Sequence, residues 1–109
     1  MSSKDTILVK RFRDKIPADV RKRVRRIIMF GSRATGVAQK YSDLDVAVVV
    51  DRKTAKVEKR LEDAAYELMW ELDFSPIISL KVFGEPQFEN AVSRGFSFYR
   101  RLQREGVSL

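Results

Sequence analysis

Apolar and polar positions along the chain change their period several times, and each change marks an element. Residues 4–15 mix charges with apolar positions, and Ile7, Leu8, Phe12 and Ile16 form one face of a short helix. Pro17 followed by Ala-Asp-Val-Arg-Lys-Arg is a second helical start, with proline in the first turn. The run VRRIIMF, Val24 to Phe30, predicts a strand ended by Gly31-Ser32. A polar loop, RATGVAQKYS, leads to Ser42, and Leu44 to Val50 (LDVAVVV) predicts a second strand. That run is apolar on both faces, so it belongs in the centre of a sheet. Asp51 then caps a long helix reaching roughly to Glu71, in which Val57, Leu61, Ala64, Ala65, Leu68 and Leu72 recur at helical spacing. Phe74 to Phe83 predicts a third strand, which Pro76 assigns to a sheet edge or a bulge. Gly84-Glu85-Pro86 opens a helix, Gly95 breaks it, and Ser97 to Glu105 forms the last one.

This order implies an α/β (α+β) fold, a small mixed β-sheet covered by helices. The strand–helix–strand crossover between residues 44 and 83 suits a parallel pair, and the first two strands suit an antiparallel one; strand order stays open. At 109 residues, with no internal repeat or linker, the chain is expected to form a single domain, 1–109. No apolar run approaches the roughly 18 residues of a membrane span, and the first residues lack the apolar stretch of a secretory signal. A cytoplasmic protein with no membrane partner is the expectation.

Two absences narrow the chemistry. Without cysteine there is no disulfide framework or thiolate metal site. Without histidine there is no serine–histidine triad, and any metal must be held by oxygen, which favours a hard cation such as Mg²⁺. The 22 Lys and Arg against 15 Asp and Glu give a net charge of +7. Such an excess attracts phosphate-rich partners. With 34% charged residues it equally fits the surface of a heat-adapted protein, and charge alone does not separate the two.

Asp43 and Asp45 open the most apolar strand of the chain, where carboxylates are costly unless something compensates their desolvation. Two apart on extended backbone, they share a face with Cα atoms roughly 6–7 Å apart. Their oxygens can converge on cations at ~2.1 Å, and metal pairs ~3.5–4 Å apart serve phosphoryl transfer. The plain alternative makes Ser42-Asp43 turn residues and Asp45 a structural aspartate paired with an arginine. At the other strand end, Gly31 permits a tight turn and close approach of a ligand. Ser32 supplies a hydroxyl and an N–H, and a turn through Ala34-Thr35-Gly36 offers further N–H donors for phosphate. Gly-Ser-Arg in isolation describes any β-turn; its position one loop before Asp-x-Asp gives it value.

Together, FGSRATGVAQKYSDLDVAVVV resembles the signature of the DNA polymerase β-like nucleotidyltransferase superfamily in its minimal nucleotidyltransferase (MNT) branch: Gly-Ser, ten residues, Asp-x-Asp. The similarity covers roughly residues 20–83. It implies the nucleotidyltransferase fold and an enzyme that transfers a nucleoside monophosphate, AMP from ATP or another nucleoside triphosphate, to a hydroxyl with release of pyrophosphate. By the same resemblance Asp43, Asp45 and a third carboxylate hold two Mg²⁺ ions, with Asp73 the best-placed candidate for the third. Asp73 also reads as an ordinary helix-to-strand junction residue, and polar Ser75 and Ser79 stand where an acidic residue is expected. Gly31 and Ser32 would bind the β- and γ-phosphates, with Arg33 as a helper. Members of this branch often act as antitoxins in toxin–antitoxin pairs, transferring AMP to a HEPN-domain toxin. Homo-oligomerisation is left open.

Two further segments invite a reading. Arg21-Lys22-Arg23-Val24-Arg25-Arg26 either steers phosphate-rich substrate or forms a solvated helix face, and the latter is favoured. Phe96-Ser97-Phe98-Tyr99-Arg100-Arg101 interleaves rings and cations in a way that suits base stacking, although Phe98 and Leu102 at helical spacing favour core packing, and Phe96 or Tyr99 an interface. Trp70 reads as a packing residue. Beside the enzyme stand two alternatives: an MNT-fold module that neutralises its partner by contact alone, and a basic nucleic-acid-binding domain with structural carboxylates.

Overall fold

A computed structural model describes residues 3–35 and 42–108. In chain order the elements are α1 (Ser3–Lys15), α2 (Ala18–Arg21), β1 (Val24–Phe30), α3 (Ser32–Thr35), β2 (Leu44–Val50), α4 (Ala55–Glu71), β3 (Ile78–Gly84), α5 (Glu85–Ser93), α6 (Ser97–Glu105) and β4 (Val107–Ser108). Among the described residues the sheet has four strands, in the order β3-β2-β1-β4. β1 runs antiparallel to β2 and to β4, while β2 and β3 are parallel across the α4 crossover. No helix among the described residues is long and apolar enough to cross a membrane.

Strand alternation divides the core into two layers. Leu44, Val46, Val48 and Val50 of β2 point one way, with Ile27 and Met29 of β1 and Ile78 and Val82 of β3. They meet Leu8, Val9, Phe12, Leu61 and Leu68 from α1 and α4. Ala47 and Val49 point the other way, with Ile28, and meet Phe88 of α5 and Leu102 of α6. The sheet is thus sandwiched, which is why β2 is apolar on both faces. Leu61 and Leu68 are fully buried; truncating either to alanine costs about 2–5 kcal/mol at such positions.

Several boundaries differ from the sequence expectation, each for a local reason. The long helix is capped by Thr54, whose Oγ1 accepts from the Val57 N–H at 3.1 Å, and not by Asp51. Asp51 is drawn toward β1 instead: its N–H donates to the Arg23 carbonyl at 2.9 Å and its carboxylate faces the Arg23 guanidinium at 3.5 Å. β3 begins at Ile78, later than Phe74, because Asp73 (φ 53°) and Phe74 (φ 57°) take left-handed backbone that cannot continue a strand. Within α1 the buried face uses Val9, leaving Ile7 exposed. Trp70 is not packed inside: it is 62% exposed and meets Tyr66 and Phe74 edge to face at 6.1 and 5.2 Å on the protein surface.

Candidate functional site

The alternation that builds the core also determines which side chains line up above it. On the α5/α6 face, Phe30 of β1 pairs with Asp45 of β2, and Asp45 with Ser79 of β3. One row across three strands therefore reads Phe30, Asp45, Ser79. The next row reads Ile28, Ala47, Lys81. Asp45 is half-buried and Asp43, just outside the strand, is exposed.

Gly31 fixes the junction between the turn and the carboxylates. It has φ 75°, and a Cβ built there would collide with Asp45 Oδ2, with Asp45 Cγ only 3.2 Å away. Only glycine accommodates both the left-handed backbone and that approach. The Ala34 N–H donates back to the Gly31 carbonyl at 3.1 Å, closing the turn that carries Ser32. Gly36, expected as a further donor, lies outside the described residues.

Electrostatics mark Asp45 as the strained member of the pair. Burial pushes its carboxyl up, and the Asp43 charge adds in the same direction. Lys81 and a hydrogen bond from Ser79 oppose this without cancelling it. Two like charges, one desolvated, converge where a divalent cation would relieve both, so Asp43 and Asp45 fit a hard metal ion.

Arg33 is committed elsewhere. Its Nη1 donates to Asp5 Oδ1 at 2.7 Å, and Nε and Nη2 donate to the Ser42 carbonyl at 3.0 and 2.8 Å. Both partners of the ion pair are largely buried, with side chains 13% and 8% exposed. Arg33 thus ties α1 to the backbone immediately before Asp43, a positioning task in place of the expected phosphate contact. Asp73 stays in the exposed turn after α4. Among the described residues no group of three or more acidic side chains is placed to hold a metal ion. Asp43 and Asp45 are brought together; Asp73 is not brought to them.

Ser79, already singled out in the sequence as standing where an acidic residue is expected, and Lys81, which sequence reasoning overlooked, complete the surroundings. Ser79 and Lys81 are polar alternates in the otherwise apolar run ISLKVF, and the parallel register aims both at the Asp45 face. Beside the Gly31-Ser32 turn, Phe30, Gly31 and Ser32 share a cleft of about 450 Å³ with Phe98, Arg101, Leu102 and Glu105 of α6. The basic cluster, by contrast, is dispersed. Arg21 bonds the Asp14 and Ile16 carbonyls, Arg25 faces Glu85 at 3.8 Å, and Arg26 bonds Ser108 Oγ at 3.2 Å and lies over the Phe88 ring. That leaves no continuous cationic stripe for a nucleic acid from these arginines.

Comparison with known proteins agrees with this geometry. A chain in a crystal structure described as a toxin-antitoxin with AMP-PNP superposes with a TM-score of 0.54 and 21% identity, covering 93% of this chain and 90% of that one. At that identity the likeness is one of fold. No match was found among curated protein sequences. The family profile described as "Nucleotidyltransferase domain" matches residues 7–101, spanning β1, the Gly31-Ser32 turn, β2 and the helices on both faces of the sheet. The chain belongs to the nucleotidyltransferase domain family.

Proposed function

We propose that this chain is a Mg²⁺-dependent nucleotidyltransferase that moves a nucleoside monophosphate, AMP from ATP, onto a hydroxyl of a protein partner. The observation that carries the reading is the close approach of Gly31 to Asp45. It puts a turn suited to phosphate and a carboxylate pair suited to a cation in one corner, where a metal-bound triphosphate needs both. Ser32 donates its hydroxyl and N–H to β- and γ-phosphate oxygens. Asp43 and Asp45 would hold Mg²⁺, which would neutralise charge on the triphosphate. The acceptor oxygen forms a bond to the α-phosphorus, and the bond from that phosphorus to the α–β bridging oxygen breaks. Pyrophosphate leaves with the electron pair, and the hydroxyl proton passes to solvent.

A protein partner, of the HEPN-domain kind in a toxin–antitoxin pair, is the acceptor we favour. The signature's resemblance and the structural neighbour solved as a toxin-antitoxin with AMP-PNP support that choice. The test is transfer of labelled AMP from Mg-ATP to the co-purified partner, by wild type and by an Asp43→Asn/Asp45→Asn variant. Labelling by wild type alone supports the enzyme; equal labelling by the double variant refutes it.

Ser79 and Lys81 favour a second reading. They occupy the strand beside Asp45 where a third carboxylate is expected, and Lys81 partly neutralises Asp45 by itself. A site so altered suits a module that inhibits its partner by contact, without transfer. In that case the double variant retains full inhibition and wild type produces no labelled partner.

A further inference from the structure

One face of α6 borders the Gly31-Ser32 turn. Phe98, Arg101, Leu102 and Glu105 recur at i, i+3, i+4 and i+7, so they share that face. Leu102 is buried at its centre, while Phe98 (38% exposed) and exposed Arg101 and Glu105 border the cleft shared with Phe30, Gly31 and Ser32. The Phe98 ring is held in place by others: Phe30 meets it edge-on at 6.0 Å and 85°, Tyr99 at 5.5 Å and 85°, and Phe83 at 6.5 Å. Phe30 is also the register partner of Asp45. A fixed, half-exposed ring thus stands one strand from the carboxylates, with a cation one helical turn away.

We propose that the α6 face is the nucleoside-binding wall of the site: Phe98 stacks on the base of the bound nucleoside triphosphate, and Arg101 takes charge from its phosphates. This rests on the nucleotidyltransferase reading and names which part of the chain selects a nucleotide over bare polyphosphate. Stacking on a ring already immobilised by three neighbours adds little ordering cost, and every base offers a π-face. Arg101 is planar and permanently charged, which suits phosphate oxygens at the cleft edge. Glu105, whose ionised oxygens only accept hydrogen bonds, disfavours phosphate beside it. The phosphates are left to Arg101 and the Gly31-Ser32 turn.

The experiment is calorimetric titration of the full chain with Mg-ATP and with magnesium tripolyphosphate, using wild type, Phe98→Leu and Arg101→Gln. Wild type is expected to bind Mg-ATP about tenfold more tightly than tripolyphosphate, the scale of one stacked base. Phe98→Leu keeps an apolar group against Phe30, Phe83 and Tyr99, and is expected to erase that preference while leaving tripolyphosphate binding unchanged. Arg101→Gln, on an exposed position that does not threaten folding, is expected to weaken both ligands several-fold. If wild type binds neither ligand, the nucleotidyltransferase reading falls and takes this wall with it. If wild type prefers Mg-ATP and Phe98→Leu keeps that preference undiminished, the metal–phosphate site stands and the α6 wall is refuted. Circular dichroism melting of each variant confirms that the titrated protein is folded.

Discussion

Replacing Gly31 with alanine tests the junction on which the site is built. The residue sits at φ 75°, where a side chain costs roughly 1–2 kcal/mol on backbone grounds. The new methyl also collides with Asp45 Oδ2, while Asp45 Cγ and Cβ stand 3.2 and 3.4 Å from it. Asp45 must rotate away, and a displacement from its preferred rotamer adds about 0.5–1.5 kcal/mol. The total is about 1.5–3.5 kcal/mol, which lowers Tm by roughly 6 °C or more in a chain of this size. Urea unfolding of a double-mutant cycle separates the two contributions. In an Asp45→Ala background the collision has no target, so Gly31→Ala should there cost only the backbone part, about 1–2 kcal/mol. Binding of Mg-ATP, followed by thermal shift, should be lost in Gly31→Ala because the Asp45 carboxylate no longer sits against the Gly31-Ser32 turn. A Gly31→Ala variant that unfolds within about 0.5 kcal/mol of wild type, or whose cost is the same with and without the Asp45 carboxylate, refutes the reasoning.

Other outcomes follow from single contacts. Because burial and then Asp43 push the Asp45 carboxyl up, the folded chain keeps that proton to higher pH than the unfolded chain. The stability this group supplies is therefore complete below its unfolded pKa and is lost as pH rises through the folded value. Asp45→Asn should accordingly be more stable than wild type at about pH 7 without divalent cation, and the advantage should vanish near pH 3, as read from urea midpoints across that range. Asp5→Ala removes the carboxylate that holds Arg33 Nη1 at 2.7 Å and leaves a largely buried charge with only the Ser42 carbonyl, so about 3 kcal/mol of stability should be lost in urea unfolding, together with Mg-ATP binding. Thr54→Ala removes the cap on the Val57 N–H and should cost about 1 kcal/mol in urea unfolding with no effect on nucleotide binding. Ser79→Asp adds a carboxylate directly beside Asp45; it should lower stability without Mg²⁺ and tighten Mg²⁺ binding about tenfold by calorimetry.

The sequence by itself determined the elements whose signals are local. β1 and β2 run from Val24 to Phe30 and from Leu44 to Val50 as their apolar runs predict, because such runs end where glycine or aspartate interrupts them. The Gly-Ser and Asp-x-Asp spacing identified the corner that the fold then assembled, since both signals sit at strand ends and strand pairing joins those ends. Boundaries set by competition were not legible. Asp51 and Thr54 are both residues that favour caps; the helix starts at Ala55, so Thr54 holds the capping position while Asp51 accepts from the Arg52 N–H and faces Arg23. The two-residue β4 has no periodicity to read and exists because β1 offers it an edge at Ile28 and Met29. The site divides in the same way. Spacing along one strand makes Asp43 and Asp45 neighbours, a local property. What stands across from Asp45 depends on the register of β3, and what roofs the corner depends on how α6 returns over the sheet. Those are long-range matters: parallel register brings Ser79 and Lys81 beside Asp45, the turn after α4 keeps Asp73 on the exposed surface, and the Asp5–Arg33 pair joins residues 28 positions apart. No local periodicity encodes such meetings, because they are settled by which faces must be buried together once the sheet has formed.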